Sequence, residues 1–389
     1  MAVPLSYSIR NLWTRKLTTF LTAGGMALVT FVFAAVLMLA EGLERTLVDT
    51  GSPDNVVVLR GSAETEVSSV IDRDAASVAI VQPEIVQDHL GEYVAAKETI
   101  VLVTLPKKST DKPTNVVVRG TGSQSMKLRP QVHLISGRNI RPGSREVIAG
   151  RAIAQAITGA SLGGTLSFAL TDWRVVGIFD AGRTAFNSEL WAEGEQLMSA
   201  FRRESYSVVV MKAPGEQAFK GLKNRLESDP RLSVQVKREV AFYRDQSAVM
   251  ARFIRILGIA MTIFFSIGAV LGAMVTMYTA VANRIGEIGT LRALGFRRSS
   301  ILMAFLSESI ALGLIGGAVG MGFGSLLQLM TISTLNWETF SELSFGFILT
   351  PWIAVYAMGF SVVMGFVGGL LPAWRAARLE IVDALRSAQ

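Results

Sequence analysis

The sequence predicts a membrane protein: four transmembrane α-helices, with a large two-lobed α+β extracytoplasmic domain between helices 1 and 2. Three observations carry this. Half of the 389 residues are hydrophobic, and the mean hydropathy is positive, at +0.41. The apolar residues gather in four stretches almost free of charge: Leu17 to Ala40, Ile256 to Ala282, Ile301 to Leu335 and Leu343 to Ala373, broken only by Glu308. Each exceeds the roughly 20 residues that a helix needs to cross a bilayer core. The block between the first two has the composition of an ordinary soluble domain.

In chain order, residues 1–16 form an N-terminal segment and 17–40 the first span. A cleaved signal peptide is disfavoured there. The apolar run is longer than the usual 7–15 residues, and bulky Met38 stands where a small residue is expected before a cut after Ala40. Residues 41–252 form the inserted domain. "DNVVVLRG" (Asp54 to Gly61) and "SYSVVVMKAPG" read as strands, being β-branched runs bounded by Pro or Gly. A helical pattern from Glu216 to Leu226 and the strand in "SDPRLSVQVK" complete a β–α–β unit. It is expected to pair with the early strand in a small mixed sheet close to the membrane. Further strands are "TIVLVTL", "TNVVVRG", "EVIAG", "GTLSFAL" and "WRVVGIFD", and "GRAIAQAITGA" is a short helix closed by Gly159. This pattern suggests a second lobe inserted into the first. The remaining spans are 253–282, 301–332 and 350–373. A short charged segment (283–300), an external loop (333–349) and a tail (374–389) connect or follow them. The second and third spans look long for a bilayer alone and are expected to tilt or to continue into water.

Charge sets the orientation. The net charge of +7 invites a nucleic-acid partner, but residues 41–250 carry 26 Lys/Arg against 25 Asp/Glu. Ten of the other twelve basic residues fall in three short segments: Arg10, Arg15 and Lys16; Arg284, Arg292, Arg297 and Arg298; Arg375, Arg378 and Arg386. The loop between spans three and four has Glu338 and Glu342 and no Lys or Arg. Positive charge concentrates on the cytoplasmic side of membrane proteins. Both termini and the 283–300 segment are therefore expected in the cytoplasm of a multi-pass inner (plasma) membrane protein, with the inserted domain outside. The partner that this charge implies is the lipid bilayer, not nucleic acid.

The exterior offers no recognisable chemistry. With no cysteine, disulfides and thiol catalysis are excluded. His89 and His133 are the sole histidines, and each reads as a polar surface residue rather than a metal ligand. "GASLGGTLS" (Gly159 to Ser167) lacks the Lys-Ser/Thr of a Walker phosphate loop and reads as a turn. Trp173 and Phe179 read as core. No catalytic, cofactor or metal site is expected.

The spans are poor in ionisable residues, which ion-coupled transporters use to bind or relay their ion. Glu308 reads as an interfacial or packing residue within reach of a basic neighbour. Span three is instead dense in glycine. Gly313/Gly317, Gly316/Gly320 and Gly320/Gly324 form small-xxx-small faces that permit close helix approach. Span four carries Gly359, Gly365, Gly368 and Gly369, and span one Gly24 and Gly25. Four helices make too small a bundle to enclose a pathway, so a second copy or a paralogue is expected.

The segment "ANRIGEIGTLRALGFRRSSI" (Ala282 to Ile301) is the sharpest feature. Ile285, Ile288, Leu291 and Leu294 recur every three residues and suggest one apolar stripe on a short helix, with Arg284, Glu287 and Arg292 facing away. Gly295 is placed to end that helix, and the serines of "FRRSS" to start the next. Composition leaves two readings open: a lever lying across the cytoplasmic mouth, or a basic loop contacting lipid headgroups.

Three stretches resemble one family at corresponding places. "RIGEIGTLRALGFRRSSILMAFLSESI" resembles the signature loop of FtsX/MacB-type ABC transporter permeases, R-x-x-E-I-G-x-x-R-A-L-G-A-x-x-x-x-I. "GLLPAWRAARLEIVDALR" (Gly369 to Arg386) resembles that family's ending, and "SIRNLWTRKLTTFLTAGGMALV" its first helix. Phe296 and Ile381 depart from the common Ala and Pro. The resemblance implies a type VII, mechanotransmission permease whose residues 253–386 form the FtsX-like part and whose outer domain is MacB-like. It also implies a separate ABC ATPase in two copies that binds ATP and Mg. Arg284, Glu287, Ile288, Leu291, Arg292, Ala293, Leu294 and Gly295 would then form the coupling helix, with Glu287, Arg292, Ala293, Leu294 and Gly295 docking on the ATPase. A periplasmic adaptor and an outer-membrane component are further implied partners. The expected function is export or extraction of a hydrophobic small molecule, peptide, lipid or lipoprotein, and the size of the outer domain favours it. The alternative is a regulator that activates a cell-wall hydrolase without moving substrate.

Overall fold

The structure, a computed structural model, describes residues 16–335 and 339–379. Arg10, Arg15, Glu338, Ile381 and Arg386 lie outside the described residues. Helix α1 (Lys16–Val48) is followed by β1 (Asn55–Arg60), α2 (Arg73–Ala79), β2 (Ala95–Pro106), β3 (Pro113–Thr121), α3 (Ser125–Leu128), β4 (His133–Gly137) and β5 (Glu146–Gly150). Next come α4 (Arg151–Ala156), β6 (Thr165–Phe168), β7 (Thr171–Asp180), β8 (Glu189–Glu193), α5 (Gly194–Ala200), β9 (Val208–Lys212), α6 (Glu216–Glu227) and β10 (Val234–Arg238). The chain continues with α7 (Glu239–Ala282), α8 (Ile285–Ala293), α9 (Arg298–Leu326), β11 (Thr331–Leu335), β12 (Glu342–Gly346) and α10 (Pro351–Arg378). Two compact units result. One is a helical unit comprising the chain up to Glu41, Arg252–Met330 and the chain from Phe347 onward; the other is an inserted domain comprising Gly42–Ala251 with Thr331–Gly346.

Among the described residues, four helices are long and apolar enough to cross a membrane: α1, α7, α9 and α10. Two limits differ from the sequence reading. Helix α7 begins at Glu239 rather than near residue 253. No Gly or Pro interrupts residues 239–257, so nothing stops the helix where hydropathy falls. Helix α9 gives way to a 3-10 turn at Leu327–Leu329, and β11 and β12 then pair as an antiparallel hairpin. Residues expected to end a span or form an external loop thus become sheet; β-branched Thr331, Ile332 and Thr334 suit that conformation. Helix α10 starts cleanly: the Thr350 hydroxyl accepts from the Ile353 amide at 3.3 Å, with Pro351 next in the chain.

Within the inserted domain the strand order is β10-β1-β9-β2-β3-β8-β5-β7-β4, with β6 also on β7. The β9–α6–β10 unit places both its strands beside β1, each antiparallel to it. The lobe expected to be mixed is therefore antiparallel, and parallel pairing occurs instead in the second lobe, at β3–β8 and β5–β7. The lobes share long β2, whose residues Ala95–Glu98 pair with β9 and Thr99–Pro106 with β3. Strand alternation gives the second lobe two cores. Val147, Ala149, Val175, Leu190 and Trp173 face one way, and Ile148, Val176, Phe179, Phe186 and Trp191 the other. Val56, Val58, Met211, Leu222 and Val236 form the core of the first.

A buried ionic node crosses the shared strand. The Arg119 guanidinium, 1% exposed, donates to Glu189 at 2.8 Å, Glu66 at 2.9 Å and Glu98 at 3.0 Å. Arg129 donates to both Glu98 oxygens, at 2.6 and 2.7 Å. Both cations lie against the Phe186 ring. Burial pushes the Glu98 carboxyl up, but the Arg129 and Arg119 charges outweigh it and hold the group below its ordinary value.

Candidate functional site

Helix α8 joins the apolar helices α7 and α9 directly, and its setting follows from its ends. At its start, the Arg284 guanidinium turns inward. It donates to Glu287 at 2.8 Å and to Glu308 of α9 at 3.0 Å, and lies 4.9 Å from the Phe305 ring. Ile288 is 1% exposed among Val281, Ile301, Phe305 and Ala376. Helix α8 is thereby braced against α9 by an apolar plug and a largely buried ion pair. At its end, Gly295 takes φ +89°, its amide donates to the Arg292 carbonyl, and the Phe296 amide donates to Leu291 at 3.1 Å. These two bonds make a Schellman motif, which ends a helix at a fixed point and sets the direction of the chain beyond it.

This geometry corrects the stripe. Ile288 is buried and Ile285 and Leu291 half-buried, but Leu294 is 70% exposed. At about 100° per residue, a three-residue spacing slips by about 60° per step, so after three steps the stripe reaches the opposite face. Arg284 does not face away either; its charge is used by Glu308. Arg292 is half-buried, its guanidinium donating to the Phe296 carbonyl at 3.4 Å. Glu287, Ala293, Leu294 and Gly295 are exposed. The surface presented is therefore a tip at 293–295 plus Glu287. Burial and the nearby Glu308 charge hold the Glu287 carboxyl above its ordinary value. The serines of "FRRSS" lie in the first turn of α9, where Arg297 occupies the cap position.

The glycines of α9 divide between two neighbours. A Cβ on Gly313 would meet the Ser361 carbonyl at 2.6 Å, and one on Gly317 the Ser361 side chain at 2.9 Å, both on α10. Gly316 lies against Ala23 and Met26 of α1, Gly320 against Ala27 and Phe31, and Gly324 near Ala34. Close approach lets hydroxyls bridge helices: Ser361 donates to the Gly313 carbonyl and Ser309 to the Gly365 carbonyl, each at 2.6 Å. Among the described residues, Gly322, Gly359, Gly24 and Gly25 have no neighbour within 4 Å of such a Cβ.

In the inserted domain, Trp173 and Phe179 are fully buried, and the glycine-rich run forms the turn before β6, with Gly159 and Gly163 at positive φ. Gly159 lies beyond α4 rather than at its cap, which is Ile157. Among the described residues no group of three or more His, Cys, Asp or Glu could hold a metal. Sequence reasoning missed Glu342, whose partners Lys107 and Thr114 lie more than 200 residues away.

Comparison with known proteins places this architecture. A model of the MacB-like periplasmic core domain matches residues 19–228, and one of the FtsX-like permease C-terminal matches residues 259–381. The macrolide export ATP-binding/permease protein MacB of Syntrophobacter fumaroxidans is 41% identical over 115 residues, 30% of this chain and 15% of that protein. The uncharacterized ABC transporter permease YknZ of Bacillus subtilis is 29% identical over 208 residues, 51% of this chain and 49% of its own length. The chain thus spans at most about half the length of these curated relatives. The periplasmic region of MacB from Actinobacillus actinomycetemcomitans aligns with TM-score 0.39 and 15% identity, over 50% of this chain and 94% of that one. With the first model matching more than half of the residues and the second most of the remainder, the chain belongs to the MacB/FtsX family of ABC transporter permeases.

Proposed function

We propose that the chain is the membrane subunit through which a separate ABC ATPase drives the inserted domain, exporting or extracting a hydrophobic small molecule, peptide, lipid or lipoprotein. In this reading α8 and both termini face the cytoplasm of an inner membrane, and the inserted domain faces the periplasm. Two ATPase copies act on two permease copies, or on this chain and a paralogue. ATP and Mg belong to the ATPase. A periplasmic adaptor and an outer-membrane component would complete an export path.

The observation that carries the reading is the brace under α8. A lipid-facing loop has no use for a buried Arg284–Glu308 pair beneath an exposed apolar tip, whereas a lever needs both a rigid base and a surface to be pushed. Leu294→Asp tests it in the permease co-purified with its partner ABC ATPase. Replacing an exposed Leu that becomes buried on docking removes about 1.5–3 kcal/mol, so ATPase affinity is expected to fall about tenfold or more. Unchanged ATPase binding and stimulation would remove the lever. Glu287→Lys acts on the brace as well as the surface, so its effect is expected to be mixed.

A further inference from the structure

The β11–β12 hairpin joins α9 to α10, yet it folds as part of the inserted domain. Its contacts there are polar and specific. The buried Glu342 carboxylate accepts from Lys107 Nζ at 2.8 Å and from the Thr114 hydroxyl at 2.9 Å. Asn115 donates to the Phe340 carbonyl at 3.1 Å, and the Ser344 amide donates to the Ser188 hydroxyl at 3.0 Å. Five residue pairs hold the hairpin together, from Thr331 opposite Gly346 to Leu335 opposite Glu342. Lys107 and Thr114 flank the β2–β3 turn, and Ser188 immediately precedes β8, so the hairpin grips the second lobe at the strands that share the ionic node.

We propose that this hairpin is a second force link, latched by Glu342 to Lys107 and Thr114, through which movement of α9 and α10 reaches the second lobe directly. Resting on the ATPase-driven reading above, the proposal adds to it. Helices α1 and α7 enter and leave the inserted domain at its ends, and they alone would deliver motion to β1 and β10. The chain also crosses between the two units at Met330–Thr331 and Gly346–Phe347. A flexible loop there would transmit nothing. A paired hairpin held by a buried carboxylate with two donors is stiff, because the donors fix the acceptor's position and leaving that carboxylate unpaired is costly. Glu342 is a positioning residue here, acting on β3 through Thr114.

The full chain with its ATPase, in nanodiscs, provides the test. Hydrogen exchange of β3 is followed with and without ATP in the wild type, Glu342→Lys, Lys107→Glu and the double charge swap. Expected is a nucleotide-dependent change in β3 protection that falls several-fold in each single variant and returns in the swap, with ATPase binding at α8 unaltered. The chain has no cysteine, so the double variant S188C/S344C reports docking by oxidation. It is expected to cross-link in the wild-type background and to retain the nucleotide response. A wild-type-like β3 response in a single variant whose S188C/S344C cross-link is lost would overturn the latch while leaving the ATPase reading intact. No nucleotide response in the wild type, with Leu294→Asp indistinguishable from it, would overturn both.

Discussion

The helical unit and the inserted domain bury polar groups in opposite ways. Between helices, apart from the Arg284–Glu308 pair beside α8, polar contact is made by hydroxyls: Ser361 donates to the Gly313 carbonyl, Ser309 to the Gly365 carbonyl, and Thr22 to the Thr276 hydroxyl at 2.8 Å. Each hydroxyl bond is individually weak, and close approach at Gly313 and Gly365 makes the two serine bonds possible. The inserted domain instead concentrates charge at Arg119 and Arg129, held by Glu66, Glu98 and Glu189. Removing one partner from a buried charged node strands the others, whereas removing one hydroxyl from a glycine-packed seam strands only a carbonyl that its own helix already satisfies. The domain should therefore fail at single residues, and the glycine-packed seams of the helical unit should fail on added volume.

The largest effect is expected at Arg119. Arg119→Met leaves Glu66, Glu98 and Glu189 facing one another without their shared cation, and breaking a buried pair this way typically costs about 3–5 kcal/mol. Denaturant unfolding followed by tryptophan fluorescence reads it, since Trp191 donates to Glu189 at 2.8 Å inside the node. Glu239 is the contrast. It is also buried, but it accepts from Ser52 and Asn55 through one oxygen, and the other has no partner among the described residues. Glu239→Gln keeps an accepting oxygen there and is expected to cost under about 1 kcal/mol. Equal costs for the two variants would mean that the node does not concentrate stability.

Added volume comes next. A Cβ at Gly316 would meet the Ala23 carbonyl at 2.7 Å and the Met26 Cβ at 2.9 Å, so Gly316→Leu forces α1 and α9 apart. Overpacking of this kind costs about 1–3 kcal/mol. Gly322, on the same helix, has nothing within 4 Å among the described residues, and Gly322→Leu should leave the thermal midpoint in detergent nearly unchanged. If the two variants melt alike, glycine in α9 serves something other than approach to α1. Smaller still, Ser309→Ala and Ser361→Ala are each expected to cost about 0.6 kcal/mol, the average for interhelical hydrogen bonds in a membrane protein.

The legibility of the sequence divides along the same line. Small-xxx-small spacing is local, so the glycine faces of α9 could be read directly, although not that Gly313/Gly317 meet α10 while Gly316/Gly320 meet α1. The apolar spans were legible because hydropathy is summed over a window, but α7 outran its window because helix propensity does not end with hydropathy. The α8 stripe was misjudged because spacing was counted without its angular drift, and Arg284 because its partner sits on the next helix. Nothing local marks the hairpin: Glu342 and Lys107 are 235 positions apart, and the run before Leu335 reads as the end of a span until it has a strand to pair with. The node is equally silent, since Arg119 in "NVVVRG" looks like any polar residue at the end of a strand.

The smallest expected effect concerns surface charge, and it sharpens the contrast between surface and node. The Arg138 guanidinium beside Glu146 holds that carboxyl down at about 2, against an ordinary value of 4.5. A carboxyl whose folded value is depressed adds stability above its unfolded value and loses it as pH falls through the folded one. Its contribution is therefore complete above about pH 4.5 and fades towards pH 2. Glu146→Gln should lower the thermal midpoint slightly at pH 6, and the gap to wild type should close on acidification towards pH 2. Both side chains retain solvent contact, at 42% and 15% exposure, so water and salt screen the pair. Raising ionic strength at pH 6 should shrink the same gap. Arg119→Met, whose carboxylates are out of reach of counter-ions, should keep its full cost in high salt. A node variant that salt rescued as readily as Glu146→Gln would mean that the buried charges are in contact with solvent after all.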